Sequence, residues 1–134
     1  MLDYRIAARR INAEGSVANA RTAEIQLESG LSGSPDAFNP AELLLAAIGY
    51  RLVKRIEHVT PMLDFKLGGV EVSPDAVRQE NPPRIISIDY GLVVDSNESD
   101  RRLELRHKNV LKYGMISNTV AAATHLDGTI KRKS

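Results

Sequence analysis

The 134-residue chain contains no cysteine and no tryptophan. The first absence excludes disulfides, thiolate nucleophiles and cysteine metal sites. The aromatic residues are four tyrosines and two phenylalanines, too few for a platform on which nucleic-acid bases stack. A formal net charge of +1 supplies no field to gather nucleic acid or an anionic membrane surface, and the basic "KRKS" at Lys131 to Ser134 reads as a solvated end. No apolar run approaches the ~18 residues of a membrane-spanning helix. "MLDYRIAARR" lacks an apolar h-region, so no signal peptide is expected and the cytoplasm is the expected location. The three histidines, His58, His107 and His125, have no metal-ligand spacing, and no metal or cofactor is expected. Nucleotide-cradling glycine motifs, G-x-S-x-G and H-E-x-x-H are all missing.

What is present reads as a single domain over residues 1–134, of α+β class with antiparallel sheets. Leu2, Tyr4, Ile6 and Ala8 alternate with Asp3, Arg5 and Arg9, the pattern of a half-buried strand. "NAEGS" is a turn. Ala23, Ile25 and Leu27 alternate with polar neighbours, and the two stretches read as one antiparallel hairpin. Arg21 falls on the apolar side by parity, so the strand is expected to begin after it. "SGLSGSPDAFNP" is a loop that ends in a helix start, with Asn39 as N-cap and Pro40 in the first helical position. That helix is expected to run to about Val59 and to stop at "TP". Leu43 to Ile48 surround its axis, and a helix apolar all round is buried on all sides. A chain of this length has difficulty supplying that cover alone, so a subunit interface is expected to complete it.

"DFKLGGVEVS" reads as a strand with a Gly-Gly break, and "PDAVRQENPP" as a loop. The clearest strand follows, with Ile86, Ile88, Tyr90, Leu92 and Val94 on one face. "DSNES" caps a second helix from about Ser99 to Tyr113, whose inner stripe is Leu103, His107, Val110 and Leu111. Gly114 is a natural residue just past its end. The chain closes with a short helical turn and an edge strand.

Chemistry-bearing residues are sparse. Arg51, Lys54, Arg55 and His58 stand at i, i+3, i+4 and i+7, one stripe of the first long helix. They read either as a solvated basic face near a helix C-terminus or as an anion site at mid-helix. If Arg51 is buried it needs a partner, for which Glu42, Glu57 and Glu104 are candidates. His107, on an apolar stripe, reads as a core histidine with a satisfied hydrogen bond.

Three stretches in order, "NPAELLLAAIG" after a Gly/Ser loop, "PPRIISIDYGLVV", and "KYGMISNTV" after a polar helix, resemble the OsmC/Ohr family, the osmotically inducible and organic-hydroperoxide-resistance proteins. The resemblance covers nearly the whole chain and is strongest from Asn39 to Thr119. It implies an interlocked homodimer with sheets wrapped around central helices. It also implies peroxide reduction by a cysteine pair, one in N-P-x-E-L-L-x-A-A-x-G-x-C and one in K-Y-C-x-x-S. Here the first cysteine position is Arg51 and the second is Gly114. The glutamate that the Ohr branch carries one turn into the helix falls on Ala41. The family's activating arginine has three candidates, Arg9, Arg10 and Arg21. Arginine is a cation without nucleophilic redox chemistry, so thiol peroxidase activity is excluded. Met115 is oxidisable, but its turnover would need an external reductase.

Three roles follow. The first is binding of a small apolar or carboxylate-bearing ligand at the dimer-interface pocket, with Arg51, Tyr50, Ala47, Leu44, Glu42, Gly114 and Met115 as the expected site. The second is a structural or interaction protein with a degenerate site. The third is a non-thiol enzyme in which Arg51 stabilises an oxyanion and Glu42, Glu57 or His107 is the base.

Overall fold

The computed structural model describes residues 3–59 and 66–134. The elements are β1 (Ala7–Arg10), β2 (Gly15–Ala20), β3 (Ala23–Glu28), α1 (Pro40–Val59), β4 (Leu67–Glu80), β5 (Pro83–Ser96), α2 (Asp100–Tyr113), α3 (Met115–Ala121) and β6 (His125–Arg132). They form an α+β fold with two three-stranded sheets. The chain divides into two compact units, Met1–Leu44 and Leu45–Ser134. No described helix is long and apolar enough to cross a membrane.

In the first unit the sheet order is β1-β2-β3, antiparallel throughout. The expected hairpin of the two flanking stretches is therefore corrected: each pairs with β2, which the sequence reading left out. β2 escapes a search for alternation because its two buried residues, Val17 and Ala18, are adjacent. Nor is the first stretch half-buried. β1 is exposed along its length, as are Tyr4 and Ile6 before it. Asn12 turns the chain into β2, its Oδ1 accepting from the amides of Glu14 (2.9 Å) and Gly15 (3.0 Å). Arg21 sits at φ 57° in the β2–β3 turn and β3 begins after it, as parity required. In the loop that follows, the Glu28 carboxylate accepts from Ser34 N at 2.9 Å. Gly33 (φ 75°) passes so close that a Cβ there would lie 2.9 Å from Glu28 Oε2.

α1 starts where its local chemistry dictates. Asn39 Oδ1 accepts from Glu42 N (2.8 Å) and Glu42 Oε1 accepts from Asn39 N (2.9 Å), a reciprocal capping box. The expected stop at Thr60–Pro61 lies outside the described residues, as do Leu2 and the first two residues of "DFKLGGVEVS".

The second unit is built on β5, the centre of the order β4-β5-β6. Ile88, Tyr90, Leu92 and Val94 from β5 meet Ile48, Leu52 and Ile56 of α1, Leu103 and Val110 of α2, and Ile130 of β6. Each such side chain taken fully from water contributes roughly 1.5–3 kcal/mol before the entropy of ordering it. The α1 residues recur at i, i+4 and i+8, one face of a helix. Gly49 lets that face come close to β4, since a Cβ there would lie 3.2 Å from Val72 Cγ1.

β4 and β5 pair antiparallel, whereas β5 and β6 run parallel, a departure from the all-antiparallel expectation. The expected loop "PDAVRQENPP" is mostly strand: β4 continues through Pro74 to Glu80, and only Asn81–Pro82 turn. Pro74 is tolerated because β4 is an edge strand. The Gly-Gly break is a register shift between Leu67 and Gly69. A second shift between Val77 and Arg78 leaves Ile86 exposed and turns Ile85 inward, which corrects Ile86 as a core residue. α2 begins at its Ser99 cap, whose hydroxyl accepts from Arg102 N at 3.3 Å, and buries Leu103, His107 and Val110.

Candidate functional site

α1 is not buried on all sides within the chain. Ile48, Gly49, Leu52 and Ile56 are covered, while Leu44, Ala46, Ala47 and Tyr50 are exposed. Arg51 and Arg55 lie on the flank between these two faces and are half-buried. The Nε atom of each is buried and has no hydrogen-bond partner among the described residues. A buried donor left unpaired costs roughly 1–3 kcal/mol, and more when it is charged. None of Glu42, Glu57 and Glu104 pairs with Arg51 among the described residues; Arg78 pairs with Glu80 and Arg102 with Glu98. Glu42 is engaged in the α1 cap. Lys54 and His58 are exposed, and the Lys54 ammonium stands 5.8 Å from the Tyr50 ring centroid, a cation–π contact within the helix.

The position matching the family's second cysteine is closed. Gly114 is extended (φ −83°, ψ 120°), so it is not the left-handed C-terminal glycine of α2; it is the residue on which α3 opens. A Cβ there would collide with Ser117 Oγ and lie 2.8 Å from the carbonyl oxygen of Val110. The Ser117 hydroxyl fills that space and donates toward the carbonyls of Gly114 (3.1 Å) and Leu111 (3.2 Å). Met115, beside it, is exposed. Arg9, Arg10 and Arg21 are exposed as well.

His107 is buried with a partner. Its Nε2 lies 2.5 Å from Tyr90 Oη, and the two rings meet edge to face at 5.5 Å. Burial pushes the Tyr90 phenol up to about 12, helped by the Asp127 carboxylate. Burial also lowers His107, against the opposing carboxylates of Glu104 and Asp127. Both shifts favour a neutral imidazole accepting from a protonated phenol. The Tyr90 ring lies across Gly128, its cross-strand neighbour, where any Cβ would run into it. Packing fixes this pair as part of the core, which agrees with the reading of His107 as a satisfied core histidine. The sequence reading placed Tyr90 in the core but missed the pairing.

A concavity of about 260 Å³ lies elsewhere, at the Gly68–Gly69 end of β4 beside Glu71, Asp95 and Lys133, and no α1 residue lines it. No group of acidic and histidine side chains among the described residues has the arrangement of a metal site.

Arg55 is the residue the sequence reading placed in the stripe but not in the site. Its spacing of four from Arg51 was the available signal, and only packing reveals that both inner nitrogens lack acceptors among the described residues.

Among curated proteins none matches the sequence. Solved structures match the fold along nearly its full length. An OsmC-like protein from Mycoplasma pneumoniae has a TM-score of 0.89 at 15% identity, covering 99% of each chain. A hypothetical protein from Aquifex aeolicus has a TM-score of 0.85 at 18% identity, covering 99% of this chain and 98% of its own. An organic hydroperoxide resistance protein from Legionella pneumophila has a TM-score of 0.72 at 15% identity, covering 98% and 99%. At such identities these likenesses establish the fold alone. The model of the family described as OsmC-like protein matches residues 33–127, most of the chain and all of α1 to α3, and by that match the chain belongs to the OsmC-like protein family.

Proposed function

We propose that this chain is a non-thiol OsmC-like protein, one domain acting as a homodimer, that binds a small ligand with an anionic head and an apolar body at Arg51 of α1. The observation that carries the reading is the buried Nε of Arg51, which has no acceptor among the described residues. Exposed Ala47 and Tyr50 adjoin it in the helix and suit an apolar body. Gly114 and Met115 belong to the reading through the family pattern alone.

The dimer is supported by the exposed apolar face of α1, on which Leu44 and Tyr50 lie in water. Catalysis by Glu42 or His107 has less support, because Glu42 is held by the helix cap and His107 Nε2 by Tyr90. The solved relatives named for organic hydroperoxide resistance share the fold, but this chain has no thiol with which to reduce a peroxide.

The test is calorimetric titration of the purified protein with dodecanoate, beside an Arg51→Ala variant. The expected result is saturable binding that Arg51→Ala weakens at least ~30-fold, as loss of a buried charged pair implies. Equal affinity in the two proteins would overturn the reading.

A further inference from the structure

Arg51 is not alone in lacking an acceptor. Arg55 follows one helical turn later on the same flank, half-buried, with its own Nε buried and unpaired among the described residues. Side chains four apart on a helix are neighbours, and long helical side chains lean toward the helix N-terminus. The nearby lysine does not share their need, since Lys54 already faces the Tyr50 ring. Neither arginine has an ion pair among the described residues.

Two guanidinium groups one helical turn apart therefore carry two charges and two buried donors unmatched among the described residues. A carboxylate has one charge and two oxygens, and it fills one fork side-on. It leaves the second fork as it was. A phosphate monoester offers two charges and three terminal oxygens, which is enough for both. We infer that Arg51 and Arg55 form one cradle whose ligand presents a phosphate monoester in preference to a carboxylate. The inference rests on the reading of Arg51 as a ligand site and names the head group that site selects.

The test titrates the full chain at pH 8, where a phosphate monoester is fully ionised (second pKa ~6). The probes are dodecyl phosphate, dodecanoate and inorganic phosphate. Dodecyl phosphate is expected to bind at least ~10-fold tighter than dodecanoate, the margin of one additional charge-assisted contact. Arg55→Gln should bring dodecyl phosphate to the level of dodecanoate and change dodecanoate itself less than ~3-fold. Arg51→Gln should weaken both. Arg55→Lys keeps the charge and loses the fork, and an intermediate preference is expected from it. If inorganic phosphate displaces dodecyl phosphate, the head group alone carries the affinity and a free phosphate compound is the source. If it does not, an alkyl or lipid phosphate is. Equal affinity for dodecyl phosphate and dodecanoate, both reduced by Arg51→Gln, would overturn the phosphate inference and leave the Arg51 site standing. Absence of binding by every probe would overturn both.

Discussion

Tyr90 and His107 share one hydrogen bond inside the core, and each loses it at a different end of the pH scale. The imidazole is lowered by burial, so the unfolded chain binds more protons than the folded one below the ordinary histidine value of ~6.5. Its contribution to stability is present above ~6.5 and fades as pH falls through the depressed folded value. The phenol is pushed up to about 12. Its contribution is present below the ordinary ~10 and fades as pH climbs beyond that. Urea titrations from pH 5 to 11 should show both slopes. Tyr90→Phe should destabilise the chain by about 1–3 kcal/mol at pH 7, because a buried His107 nitrogen loses its donor, and the alkaline slope should shrink. A Tyr90→Phe variant as stable as its parent would mean that the ring packs without need of the hydroxyl.

Among elements, α1 is set by a few atoms at its start. Asn39→Ala removes one half of the capping box and should cost about 1 kcal/mol, seen as a lower denaturation midpoint and faster amide exchange in the first turn of α1. Uniform exchange along the helix would instead point to a loss elsewhere. Such caps explain why the starts of α1 and α2 were readable from sequence almost to the residue: the signals lie within four positions of the boundary. The strands were less legible. β2 consists of small and polar residues around adjacent Val17 and Ala18, so no alternation announces it. Pro74 and Asp75 read as loop, yet they lie on an edge strand, where a missing amide is tolerated. Pairing direction depends on the path of the chain, so nothing in "HLDGTIKR" announces that it runs parallel to β5. Of the site, the place of Arg51 follows from counting along the helix, whereas its shared lack of an acceptor with Arg55 depends on packing.

For the whole molecule the expected state is a homodimer that covers the exposed side of α1. Native mass spectrometry at micromolar concentration should find it, and the melting temperature should rise with protein concentration. A monomer with a concentration-independent melt would remove the second cover on which the ligand reading depends. Within each chain, the parallel pair also orders the events of folding. β4 and β5 are joined by the Asn81–Pro82 turn and close locally, whereas β6 must return across α2 and α3 to lie beside β5. Contacts distant in sequence close late, since the intervening chain gives up its freedom first. When β6 arrives, the Tyr90 ring accepts only a residue without a side chain beneath it, and Gly128 is flanked by Asp127 and Thr129. A slip of one position in either direction is refused at that ring. Tyr90 is thus the proofreader of the last strand, admitting β6 in one alignment and rejecting its neighbours.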